Sequence, residues 1–211
     1  MTKKYELTNI TMKFEERTLY RIIALKDFSD VRAGELGGWV GNEYNLSQYG
    51  NCWIYNNAKC IDNARMFNNS TMHDNSVMFD YSKMYGNSAI YNDSVMYDCS
   101  TMYDNSEMYG NSAIFGNSKM YDNSKMHNYT MMHDSSEMHD NSEMHDNSRM
   151  HEYSRMYGDS RMYGDSVMHD NSIMYDSSEM HDDSMMFNNS IIGSNNKICG
   201  DTRICGNTIL K

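Results

Sequence analysis

The stretch MHDNSEMHDNSR, residues 138–149, states nearly the same six residues twice. The pattern continues in both directions. From Ile54 the chain reads IYNNAK, CIDNAR, MFNNST, MHDNSV, and it closes with ICGNTI at 204–209. Residues 54–209 divide into 26 hexads with no insertion or deletion. Repetition at a short fixed period points to a solenoid.

A period of six does not suit a helix, because six residues turn about 600° on an α-helix and leave no straight stripe. Asn, Asp, Gly and Ser in nearly every hexad also oppose helix. One short strand and one corner per hexad fit instead. Around each join the order is Ser, a variable residue, Met, an aromatic residue. Alternate strand side chains face opposite ways, so Ser and Met share one face, and the variable and aromatic residues share the other. The variable position accepts Glu, Lys, Arg, Val and Ala, and tolerance of charge marks the outside. Met and Ser therefore face in, and Tyr or His faces out. Asp-Asn or Gly-Asn makes the corner, where Asn is expected to take the left-handed backbone.

The coil length follows from charge. At a spacing of 18 the variable position reads Glu107, Lys125, Glu143, Arg161, Glu179, Lys197. Signs that alternate between neighbouring strands attract. Three hexads per coil place these residues in one column. At about 4.8 Å per coil the repeats make a prism roughly 42 Å long.

The composition agrees with a chain whose N–H groups are committed to ladders: among 211 residues there are 23 Met and 17 Tyr but no Pro, where about ten Pro would be ordinary. The net charge is −11. Residues 1–53 carry seven basic and seven acidic groups, so the excess lies in the repeats. This argues against direct nucleic-acid binding, which needs a basic face, and leaves room for a basic protein partner. No apolar run is long enough for a membrane span, and MTKKYELTNI has no secretion-signal core. The expected location is cytoplasmic, with Cys52, Cys60, Cys99, Cys199 and Cys205 reduced.

Residues 1–53 break the hexad rule. TLYRIIAL reads as a strand and AGELGGWV as a glycine-rich turn into another, which together make a β cap for the exposed end of the solenoid. The expected division is a cap over 1–47 and a parallel β-helix over 48–211.

With these features the chain resembles the hexapeptide-repeat, left-handed parallel β-helix family. LYRIIALKDFSDVRAGELGGWVGNEYNLSQYGNCWIYNNA, residues 19–58, narrows the resemblance to the N-terminal part of YdcK-like proteins, a group of assigned transferases frequent in bacteria and prophages. The left-handed coil is an implication of that resemblance. Met in place of the family's usual Val, Ile or Leu implies the same fold with a softer core.

Three surfaces stand out. One face pairs Val77 with Phe79, Val95 with Tyr97, Ala113 with Phe115, Met131 with His133, Arg149 with His151, Val167 with His169 and Met185 with Phe187. An apolar stripe suggests a partner, either a second copy, giving a dimer or trimer, or a foreign protein. A girdle of His127, His133, His139, His145 and His151 occupies consecutive hexads. It is read as flat rings standing in for Tyr, against the alternative of a metal or pH-sensing site. No carboxylate is expected to orient an imidazole, because Glu137 and Glu143 belong to charge columns. No catalytic residue, structural metal or cofactor is assigned. Third, stacked corners suggest Asn ladders, such as Asn69, Asn87, Asn105, Asn123 and Asn141.

Two functions follow. The first is a non-enzymatic, rigid, acidic binding or inhibitory rod. Through the prophage resemblance it would be encoded by a phage or mobile element and would act on a host defence protein in the host cytoplasm. The second is an acyltransferase of the hexapeptide class, which the resemblance implies would use acyl-CoA and a surface His as general base. The repeats carry no protruding loop of the kind many such enzymes have, which favours the first.

Overall fold

The computed structural model describes residues 2–211, and among them every regular element is a strand. Strands β1 (Tyr5–Phe14), β2 (Arg17–Ala24) and β3 (Leu36–Val40) open the chain, followed by two-residue strands from Trp53–Ile54 to Ile209–Leu210. The short strands stack in three parallel sheets with a register of 18 residues, as Glu107 on Lys125 and Lys125 on Glu143 show. Hence the fold is a triangular left-handed parallel β-helix of three hexads per coil.

Inside, the Met column positions from Met66 to Met186 are fully buried, with Ile90 and Ile114 interspersed. The serines on the same inward side are equally buried. Many satisfy their hydroxyl locally: Ser70 Oγ donates to the Phe67 carbonyl at 2.8 Å, and Ser106 Oγ to the Tyr103 carbonyl at 2.8 Å. Ser thus fills the narrow space beside each corner, but other hydroxyls of the same row, such as those of Ser142, Ser148, Ser160 and Ser166, are buried without a protein partner.

The corners correct one expectation. The left-handed residue is the first of the pair, not the second: Asp122 has φ 58° and Asp140 φ 59°, and Gly86 and Gly110 fill the same position elsewhere. Asp is used there for a second reason. Its carboxylate accepts the N–H of the left-handed residue one coil on, as Asp74 does from Asn92 at 2.9 Å and Asp140 from Gly158 at 2.9 Å. The second corner residue supplies the ladder. Asn69 donates to Asn87, Asn87 to Asn105, Asn105 to Asn123, Asn123 to Asn141, and Asn141 to Asp159, all at 2.9–3.1 Å.

The N-terminal strands join this stack directly. β1 and β2 form an antiparallel hairpin, β2 pairs antiparallel with β3, and β3 lies parallel on Lys59–Cys60 through Trp39 and Val40. Parallel stacking therefore already begins at β3. Gly37 and Gly38 are needed for it: a Cβ on Gly37 would meet the Trp53 ring at 2.5 Å, and one on Gly38 the Ile54 side chain at 2.3 Å. Tyr5, Phe28 and Trp53 pack edge to face over the end of the core. Lys4 is buried beside them, its Nζ donating to the Cys52 carbonyl at 2.9 Å. Burial pulls the Lys4 ammonium below the ordinary lysine value.

Candidate functional site

The outward aromatic positions form three columns that climb the prism. The first runs Tyr55, His73, Tyr91, Tyr109, His127, His145, Tyr163, His181, every neighbour stacked at 4.5–5.1 Å. The second includes Tyr121, His139 and Tyr157. The third runs Phe79, Tyr97, Phe115, His133, His151, His169, Phe187. The five girdle histidines are thus dispersed over three faces. The structure brings together His127 with His145, and His133 with His151, and leaves His139 between tyrosines.

Carboxylates do orient several of these rings, contrary to expectation. Glu143 Oε2 lies 3.1 Å from His145 Nε2, and Glu179 Oε2 lies 2.8 Å from His181 Nε2. The reason is geometric: variable residue i and aromatic residue i+2 leave the strand on the same side, so one Glu reaches its own ring and the base in the next coil. Glu143 also accepts from Arg161 Nε at 3.3 Å. Burial opposes ionisation of Glu143, but hydrogen bonds from His145 and Arg161 carry its pKa below the usual value.

The third column has the one distorted step. His133 and His151 have centroids 3.7 Å apart and planes at 84°, whereas the other stacked neighbours lie within 19° of parallel. His133 stays within 9° of the Phe115 ring, with its Nδ1 2.6 Å from Asp134 Oδ2, and His151 stands across it. His133, Asp134 and His151 each bring one donor atom within 4.8 Å of the others. Burial, then the neighbouring His133 and His169, pull the His151 pKa down to about 4. The sequence reading counted two imidazoles here and missed the carboxylate. The available signal was His-Asp followed by His 18 residues after the first His, which residues 133, 134 and 151 satisfy.

The apolar face lies on the sheet that continues from β3. Its side chains cover one another more than a free stripe would. Val167 is buried, while Val77, Phe79, Val95, Tyr97, Ala113, Phe115 and Phe187 are half-buried. Phe79 stacks on Tyr97 at 5.2 Å and Tyr97 on Phe115 at 4.8 Å. At its N-terminal end the hairpin tip leans over: Phe14, Glu15 and Arg17 join Ile61, Val77, Phe79 and Val95 around a hollow of about 160 Å³. Arg17 is held there by Asp62, which accepts from Nε at 2.8 Å and from Nη2 at 2.9 Å. The most exposed aromatic rings of the coils are instead Tyr81, Tyr129 and Tyr153, on the edges.

No helix among the described residues is long and apolar enough to cross a membrane. No family model matches the chain. The chain is similar to an uncharacterised acetyltransferase, YdcK, of Escherichia coli (strain K12), at 58% identity over 38 residues. That stretch covers 18% of this chain and only 12% of YdcK. The hexads, the 18-residue coil in three parallel sheets and this segment of identity together fit the hexapeptide-repeat family.

Proposed function

We propose that the chain is a rigid acidic rod that binds a basic partner protein and performs no catalysis of its own. The separation of charge along the prism carries this reading. Every Asp of residues 54–211, and Glu152, lies at a corner, whereas every Lys and Arg of that segment except Lys211 lies in a strand. The strands carry ten basic groups against four Glu, some of them paired, as Lys125 with Glu107 at 2.9 Å and Lys197 with Glu179 at 3.3 Å, so the faces are net basic. The excess negative charge therefore runs along the edges, where a convex ridge can enter a basic groove. Coils without a protruding loop give a straight, stiff support for such ridges. Within this reading the resemblance to prophage proteins suggests a mobile-element product acting in the host cytoplasm on a defence protein.

The test is capture from host lysate on immobilised chain, with the bound protein or nucleotide identified. Retention of a basic protein that elutes as salt rises, and that weakens with Asp165→Asn, Asp183→Asn and Asp201→Asn together, supports the rod. Capture insensitive to both salt and these changes removes it.

A second reading, acyl transfer from acyl-CoA, is favoured by two observations: the name carried by YdcK, and the Glu-oriented imidazoles of His145 and His181. An imidazole with a carboxylate on one nitrogen has the form of a general base. Acetyl transfer from acetyl-CoA that is lost in His145→Phe or His181→Phe would establish it.

We also infer self-association, as a dimer or trimer, through Val77, Phe79, Val95, Tyr97, Ala113 and Phe115, with Val167 and Phe187 extending the contact. From Val77 to Met131 the outward strand position of this face carries no charge.

A further inference from the structure

We propose that His133, Asp134 and His151 form a binding site for one divalent transition-metal ion of the zinc class. Two imidazole nitrogens and one carboxylate oxygen form a donor set suited to Zn²⁺, which takes three protein ligands and leaves a position open. The three donors converge within 4.8 Å of one another on one face. Each is fixed by its own backbone: His133 N–H donates to Met150 O at 3.0 Å and His151 N–H to Met168 O at 2.9 Å, while the Asp134 carboxylate also accepts the Glu152 N–H at 3.3 Å.

The internal comparison is what distinguishes the site. His127 and His145 also lie one coil apart, yet their planes differ by 1° and their centroids by 4.6 Å. In that pair the residue after the first His is Asn128, which offers no carboxylate. Asp134 replaces it in the pair of His133 and His151, and there His133 stays stacked on Phe115 at 9° with its Nδ1 at the Asp134 carboxylate, while His151 stands across it at 84°. An Asp after the His does not do this alone, since His139 before Asp140 stays within 16° of Tyr157; the second His one coil on is needed as well. The open side is accessible. Asp134 and Glu152 line a shallow hollow of about 340 Å³ on the same edge with Gly116, Asn117, Ser135 and Tyr153. Glu152 stands at a left-handed position, φ 57°, that the other coils give to Asp, Asn, Gly or Ser. Its carboxylate is on the edge through which an ion would enter, so Glu152 or water would complete the coordination. Arg149 precedes His151 on the same strand, and its positive charge opposes an ion there; the two acidic groups offset it.

The proposal does not depend on the rod reading or on the acyltransferase reading. Its test uses the full chain, stripped with chelator and titrated with Zn²⁺ by calorimetry. One ion per chain is expected. His133→Phe, His151→Tyr and Asp134→Asn should each weaken binding by about tenfold or more. All three keep residues that the columns and corners accept elsewhere, such as Phe115 and the left-handed Asn128. His127→Tyr with His145→Tyr should leave the affinity unchanged. Zn²⁺ should raise the unfolding temperature of the native chain but not of Asp134→Asn. Absence of stoichiometric Zn²⁺ binding, or binding that survives all three changes, overturns the site.

Discussion

His127 and His145 lie parallel one coil apart, with centroids at 4.6 Å, and the burial that comes with such stacking works against protonation. Burial first, then the neighbouring His145, lowers the pKa of His127, and burial likewise lowers that of His73. A native pKa below the unfolded value means that the neutral ring is the one the fold prefers. This contribution is fully present above the unfolded value of 6.5 and is lost as pH falls through the native values. The unfolding temperature should therefore begin to drop as pH falls below 6.5, before the carboxylates titrate. His73→Tyr with His127→Tyr should make that part of the profile shallower, and the share of His151 should remain. An unchanged profile in the double variant would show that stacking carries no proton linkage.

The charge column should respond to a reversal at its centre. Glu143 stands between Lys125 and Arg161. Glu143→Lys creates three like charges in succession and should cost about 1 kcal/mol. In 0.5 M NaCl the difference from the native chain should shrink, since exposed charges are screened. Urea unfolding at two salt concentrations measures both. A loss independent of salt would mean that packing of Glu143, rather than its charge, matters.

At the corners, shape and acceptor can be separated. Asp122→Asn keeps a residue tolerant of φ 58° and a side-chain oxygen near the Asp140 N–H, and should be nearly neutral. Asp122→Val loses both and should cost about 2 kcal/mol. Asp122→Gly, which relieves the backbone but removes the acceptor, should fall between them. Equal costs for Val and Gly would show that the left-handed backbone carries no penalty here.

The Asn ladder gives a position-dependent result. Asn105 accepts from Asn87 at 2.9 Å and donates to Asn123 at 3.1 Å, whereas Asn69 donates to Asn87 at 3.0 Å and accepts only a longer bond, from the Asn51 N–H at 3.3 Å. Asn105→Ala should cost about 1 kcal/mol, and Asn69→Ala less. Thermal unfolding of the two variants side by side decides it.

For self-association, Val95→Glu with Phe115→Glu should give monomers by light scattering while the far-ultraviolet circular dichroism is retained. Native protein that is already monomeric at micromolar concentration removes the proposed contact. Phe14, which borders the hollow with Val95, should then be explained as a cover over this face within one chain.

Coil length, sheet register and the inward Met and Ser columns were legible because a single residue type repeats at each position, and the alternating charges from Glu107 to Lys197 fixed the 18-residue stack. The corner was half legible. Asp-Asn marked the turn, but which of the two takes positive φ depends on hydrogen bonds to the next coil, and those appear only once the stack is built. The join to β3 was hidden because Trp39 on Lys59 is spaced by 20 residues, outside the period. The crossed pair of His133 and His151 was hidden for another reason. It depends on a corner residue, Asp134, and a strand-end residue, His151, that belong to different hexads and were read as separate columns.

A three-hexad coil has a consequence for how such a chain can change length in evolution. Loss or gain of 18 residues would restore every column above the junction. Loss of one hexad would also leave strands, corners and core in phase, so folding would hardly notice it. But all coils beyond the junction would be rotated by one third of a turn, and the alternating charges would continue onto the apolar face. Slippage within this repeat therefore scrambles the surface while sparing the interior. A slip of one hexad between Glu107 and Lys197 would break the alternation of signs that runs through six coils, while leaving an aromatic ring stacked on a ring.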